Sequence, residues 1–201
     1  MARYTGPKQR LQRSHGEDLG LKTNSVKVQR RLNVPAGQHG AKGHKKISDY
    51  GMQLKEKQKL KVIYGVLEKQ MHRYYEVATK TPASTGAALL KLLERRLDNV
   101  IFRLGFAPTR AAARQMVVHN HVQVNGKKNT IPSYLIKPND VISLKNKALK
   151  IPVVETLLKD QKAVPAWFER QGNSGKVVRY PERDELDSNI NEQLIVEFYS
   201  R

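Results

Sequence analysis

Cysteine is absent from this sequence, and its absence removes disulfides, thiolate zinc sites and cysteine nucleophiles together. No apolar run approaches the length of a bilayer-spanning helix. The first twenty residues are basic but lack an apolar stretch and a cleavage pattern, so no signal peptide is expected. Acidic residues are scarce: 18 Asp and Glu stand against 37 Lys and Arg in 201 residues, a formal net charge of +19. Such an excess repels itself within a compact body and is best neutralised by a polyanion. With no membrane-directed segment to be read, nucleic acid is the favoured partner.

The charge is uneven. Residues 1–46 hold eleven bases (Arg3, Lys8, Arg10, Arg13, Lys22, Lys27, Arg30, Arg31, Lys42, Lys45 and Lys46) and two acids, Glu17 and Asp18. Apolar residues are sparse there, and NVPAGQHGAKG (33–43) is rich in glycine. The segment reads as a basic extended arm that orders on a partner, with a plain disordered tail as the alternative. Residues 182–201 reverse the sign, with six acids and two bases. That suits a surface facing basic protein, or a solvated helix start.

Between these ends the periodicity changes. Residues 48–78 read as helical, with Ser48 or Asp49 as N-cap and Gly65 dividing the stretch in two. Leu54, Leu60, Ile63 and Leu67 share a face, while Lys55, Lys57, Lys59 and Lys61 project around the rest. Tyr74 and Tyr75, at helical spacing, read as core rather than as platforms for bases. TPASTG (81–86) reads as a linker. Residues 87–105 then form one amphipathic helix, with Leu89, Leu93, Leu97, Val100, Ile101 and Leu104 as its apolar stripe. Arg96, Asn99 and Arg103 border that stripe, and Lys91, Glu94, Arg95 and Asp98 form a solvated face.

A second helix, RAAARQMVV, starts behind Thr109 as N-cap. Arg110 and Arg114 lie four apart, a like-charge pair with no acid beside it in sequence. A phosphate seated over the pair would offset that cost, because guanidinium forks match phosphate geometry. HVQV, Asn125-Gly126 and the residues after it form a hairpin; Tyr134–Ile136 and Val141–Leu144 read as strands, and Ala166–Tyr180 as another hairpin turning at GNSG. Ile190, Leu194 and Phe198 recur every four residues, a terminal helix capped by Asp187 or Ser188.

Residues 96–126, RLDNVIFRLGFAPTRAAARQMVVHNHVQVNG, resemble the small RNA-binding module named after ribosomal protein four, two helices packed on a short curved sheet. The resemblance continues through RYTGPKQR, PAGQHG, SDYGMQLKEKQKLKVIYGVLEKQ and LIVEFYSR, so nearly the whole chain is similar to the bacterial and organellar family of small-subunit ribosomal protein four. Some members bind zinc through cysteines near the N-terminus; this sequence is similar to the zinc-free subtype. Asn120 and Asn139 stand where the family often has glycine. Asparagine tolerates the left-handed conformation best among the other residues, so both turns are expected to survive.

The resemblance implies an α+β fold in three parts. These are a basic arm at 1–46, a helical domain at 47–86 completed by 182–201, and an inserted module at 87–181 with two helices on a small curved, mainly antiparallel sheet. It implies direct binding to small-subunit ribosomal RNA at a multi-helix junction, nucleation of subunit assembly, and contact with small-subunit ribosomal protein five that bears on translational accuracy. Other ribosomal proteins, and messenger RNA where it enters the ribosome, are further implied partners. Localisation follows as a ribosome of the cytoplasm or of an organelle. No cofactor, membrane or small-molecule substrate is implied.

The RNA contacts are expected from Arg96, Arg103, Thr109, Arg110, Arg114, Gln115, His119, Asn120, His121 and Lys127 in the module. Arg3, Lys8, Arg10, Arg13, Arg30, Arg31, Lys42, Lys45, Lys46 and Lys55 would neutralise phosphates outside it. His39 and His44, or His119 and His121, bring neither cysteine nor a carboxylate cluster, so no metal site is expected. Nucleotide-binding and hydrolase motifs are missing, and Asp98 reads as the partner of a nearby base rather than a catalytic acid. A free RNA-binding regulator or chaperone using the same module is the rival reading.

Overall fold

The computed structural model describes residues 4–201 except 31, 33, 35, 36, 39–45, 83, 161, 162, 187 and 188. The expectations for Arg3, Arg31, Lys42, Lys45, His39, His44, Asp187 and Ser188 therefore lie outside the described residues. The chain divides into two compact units, residues 1–89 with 188–201 and residues 90–187.

In the first unit the chain forms α1 (Lys8–His15), α2 (Ser25–Gln29), α3 (Asp49–Tyr64), α4 (Glu68–Thr79), the start of α5 (Thr85–Glu94) and, at the far end of the sequence, α10 (Glu192–Tyr199). Ser48 caps α3 by accepting from Gly51 N at 3.2 Å. Gly65 closes α3 in the left-handed conformation (φ 62°), which a side chain would strain, and α4 starts behind it. Asn191 caps α10, its side chain accepting from Gln193 N. The core joins Leu60, Ile63, Tyr64, Val66, Met71, Ala78, Leu89, Ile190 and Ile195. Leu67 is exposed instead, because it lies at the start of α4 rather than on the buried face of α3.

The expected extended arm does not describe residues 8–29. These hold α1 and α2, and Gln12, His15, Leu19 and Val28 are buried. α1 packs on α3, so its few apolar groups find cover they could not provide for each other. Two α3 lysines expected at the surface are buried as well. Lys57 meets Glu68 at 2.8 Å and lies 4.3 Å from the Phe198 ring centroid. Lys59 meets Glu17 at 2.7 Å and donates to the Asn189 carbonyl. α10 covers their stems while partners take up their charges.

The second unit completes α5 and adds α6 (Leu97–Arg103), α7 (Arg110–Val118), β1 (Val122–Val124), β2 (Lys127–Lys128), β3 (Val141–Leu144), α8 (Asn146–Leu149), α9 (Pro152–Lys159), β4 (Phe168–Gln171) and β5 (Ser174–Val177). The strands form one antiparallel sheet in the order β2-β1-β3-β5-β4. Val122, Val124, Ile142, Leu144, Phe168 and Val177 turn to the buried side, the alternation of a sheet with one covered face. α6 lies against that side: a Cβ on Gly175 would come within 2.6 Å of the Leu104 side chain.

The structure departs from the sequence expectation in three places in this unit. The helix expected at 87–105 breaks at Arg95 and Arg96, giving α5 and α6. Tyr134–Ile136 is not a strand; Leu135 makes one isolated bridge to Arg96, while the Tyr134 and Pro132 carbonyls accept from Leu97 N and Asp98 N. That loop satisfies the open N–H groups at the start of α6. α8 and α9 occupy a stretch left without elements above. The turn expectations hold: Asn120, Asn125 and Asn139 have φ of 63°, 50° and 69°.

Candidate nucleic-acid interface

α6 and α7 pack closely, and the polar groups between them form a buried network. Arg96 is fully buried and grips the Asp98 carboxylate at 3.0 and 2.6 Å. The same carboxylate accepts from Arg114 Nη1 at 3.3 Å. Asn99 donates to Glu94 Oε2 at 2.6 Å and accepts from Arg110 Nε at 2.8 Å. Arg103 makes a bidentate pair with Glu94, at 3.0 and 2.7 Å. The Arg110 guanidinium lies 4.6 Å from the Phe102 ring centroid, the geometry of a cation–π contact.

This network revises the expected site. Arg96 has no surface to offer RNA, and Arg103 is mostly covered and committed to Glu94. Glu94 and Asp98, expected on a solvated face, are buried. The break before α6 turns this polar border inward. The like-charge cost at Arg110 and Arg114 is offset by Asn99 and Asp98, groups eleven and sixteen residues upstream, without a phosphate. Asp98 is the partner of bases that the sequence suggested.

Thr109 caps α7, its hydroxyl accepting from Ala112 N at 3.2 Å. Gln115 and His119 are exposed on and just beyond α7, and Lys127 is exposed on β2. His119, Asn120 and His121 come together with Gln123, Lys145, Asn146 and Lys147 around one open hollow that Leu144 also lines. The last four polar residues were not among the expected contacts. Strand pairing was the available signal: Val122 faces Leu144 across β1 and β3, and one step further Lys145 N donates to the His121 carbonyl at 2.9 Å. Lys145 Nζ also reaches Asn120 Oδ1, at 2.7 Å.

In the first unit Arg10, Arg30, Lys46 and Lys55 are exposed, whereas Lys8 is half-buried. Arg13, also half-buried, donates from Nε to the Val34 carbonyl at 2.7 Å. Among the described residues no three His, Asp or Glu side chains gather as metal ligands, and no helix is long and apolar enough to cross a membrane.

Residues 3–94 match the family model described as ribosomal protein S4/S9 N-terminal domain, and residues 95–142 match the S4 domain. The small ribosomal subunit protein uS4 of Herpetosiphon aurantiacus is 52% identical over 211 residues, covering all of both chains. Those of Dictyoglomus turgidum and Aquifex aeolicus are 51% and 49% identical, again over both full lengths. The chain belongs to the uS4 family of small-subunit ribosomal proteins. As a uS4 family member it is a ribosomal protein with an S4 RNA-binding domain, and not an enzyme. In this uS4 chain the S4 match spans α6, α7 and the first two strands, and includes the four arginines of the buried network, whose Glu94 lies just before it.

Proposed function

We propose that this chain binds small-subunit ribosomal RNA directly at a multi-helix junction and helps nucleate assembly of the subunit. Its partners there are small-subunit ribosomal protein five, through a contact that bears on translational accuracy, other ribosomal proteins, and messenger RNA where it enters. Its place is the ribosome of the cytoplasm. The observation that carries RNA binding is the S4 domain at 95–142 within a chain of net charge +19. A-form duplexes hide their major groove, so a protein of this kind reads phosphates, shape and unpaired nucleotides at irregular junctions. Within the second unit the contacts fall to Thr109, Arg110, Gln115, His119, Asn120, His121, Lys127, Lys145 and Lys147, with Arg114 at their margin. Arg10, Arg30, Lys46 and Lys55, exposed in the first unit, add phosphate neutralisation.

The test is affinity for a small-subunit ribosomal RNA fragment containing the multi-helix junction, against a structured competitor RNA of equal length, over a salt series. Junction binding that outlasts competitor binding as salt rises supports the reading. Equal affinities that fall together would leave a general basic RNA binder, the regulator or chaperone reading.

A further inference from the structure

We propose that the hollow between the end of α7 and the residues following β3 holds one unstacked RNA nucleotide, its base against the His119 and His121 imidazoles and its phosphate at Lys147. This inference rests on the RNA-binding reading above and names what that part of the interface recognises.

The two ring centroids are 6.4 Å apart with planes tilted by 32°. Two bases flanking a third are about 7 Å apart, twice the stacking rise of about 3.4 Å. The separation of the imidazoles is thus close to the span that two rings need to hold a base between them. The positive φ of Asn120, 63°, sets the two histidines around a tight reversal of the chain. Lys145 pins that reversal by its 2.7 Å hydrogen bond to Asn120. The hollow is thus a built feature of the turn.

The remaining lining matches a nucleotide in chemistry. Gln123 and Asn146 carry amides, and neither these nor the imidazole nitrogens have a side-chain hydrogen bond among the described residues. An amide both donates and accepts, so it can meet the pairing edge of a base, an edge exposed only when the base is unpaired. Lys147 is exposed at the rim and forms no ion pair among the described residues. A duplex presents phosphates to such a rim but keeps its base faces and pairing edges inside.

The test uses the full chain, hexa-adenylate and hexa-uridylate as single-stranded probes, and a twelve-base-pair RNA duplex as control. Ring-proton resonances of His119 and His121 are followed by NMR on titration. The single strands are expected to shift both rings, and the duplex neither. His119→Ala with His121→Ala is expected to weaken single-strand binding by about ten-fold, within the range for loss of one base stack. The double phenylalanine variant, which keeps the stacking surface, should stay close to wild type. A duplex that shifts the rings as strongly as the single strands would overturn the proposal. So would an alanine variant as tight as wild type, or silent rings in a protein that binds the ribosomal RNA junction normally. Absence of junction binding by the wild-type chain would instead remove the broader reading, and this one with it.

Discussion

Asp98 holds Arg96 by both carboxylate oxygens, at 3.0 and 2.6 Å, with both side chains buried where α5 gives way to α6. Each ion is costly to bury alone, and each removes the other's cost. The pair also ties α7 to α6, because Asp98 Oδ2 reaches Arg114 at 3.3 Å. Asp98→Ala would leave the Arg96 guanidinium buried without this carboxylate. We expect a loss of about 3–5 kcal/mol in the unfolding free energy of the second unit. Urea denaturation followed by the fluorescence of Trp167, buried in that unit, measures it. A loss below about 1 kcal/mol would mean that water replaces the carboxylate.

Arg110 and Arg114 separate folding from binding. Arg110 lies over Phe102 and donates to Asn99, while Arg114 is an outer member of the Asp98 network. Replacing both with alanine leaves the Arg96–Asp98 pair in place, so the protein stays folded by circular dichroism. Affinity for the ribosomal RNA junction should fall, and the slope of log affinity against log salt should shrink by up to about two. Unchanged affinity and slope would remove both arginines from the interface.

The features legible in the sequence are those decided by local chemistry. Ser48 before α3, Gly65 after it, Thr109 before α7 and the three left-handed asparagines act through backbone groups within a few residues. The expected hairpin strands appear because alternation and turn residues agree. The break at Arg96 was not legible: residues 87–105 carry a continuous helical stripe, and the interruption comes from a loop about thirty-five residues away that caps α6. The same break hid the fate of Arg96 and Arg103, since a border on one long helix becomes an interior between two short ones. Lys145 and Lys147 were missed because their place depends on strand register rather than on any motif. α1 was missed because its cover comes from α3.

Two glycines should differ in what they tolerate. Gly65 has open space around its Cβ position but a φ of 62°, so Gly65→Ala carries only conformational strain, about 1–2 kcal/mol. Gly65→Asn should cost less, since asparagine accepts this conformation. Gly175 has ordinary backbone but no room, with Leu104 side-chain atoms at 2.6 and 2.9 Å from a built Cβ. Gly175→Ala must push α6 off the sheet or force Leu104 into another rotamer, a loss of about 1–3 kcal/mol. Paired with Leu104→Ala, it should recover part of its own loss, a coupling that a double-mutant cycle reads directly. Additive losses would show that the two positions do not meet.

His15 links the docking of α1 to acidity. It is 8% exposed, its Nδ1 has no hydrogen-bond partner among the described residues, and its pKa falls from 6.5 to about 4. Burial is the main cause; Lys55 and Lys59 lower it further, and Glu17 opposes them. The folded protein therefore keeps this imidazole neutral at acidities where the unfolded chain already protonates it. Between pH 6.5 and about 4 the unfolded state binds more protons at this position, so stability falls as pH falls. Above pH 6.5 His15 makes no pH-dependent contribution, and below about 4 its loss is complete. Amide hydrogen exchange in α1, scaled for the intrinsic pH dependence of exchange, should report weaker protection at pH 5 than at pH 7. His15→Gln keeps a polar side chain of similar reach and cannot take up the proton, so this part of the pH dependence should vanish in it. A His15→Gln protein with the same loss of protection between pH 7 and 5 would assign the effect to groups other than His15.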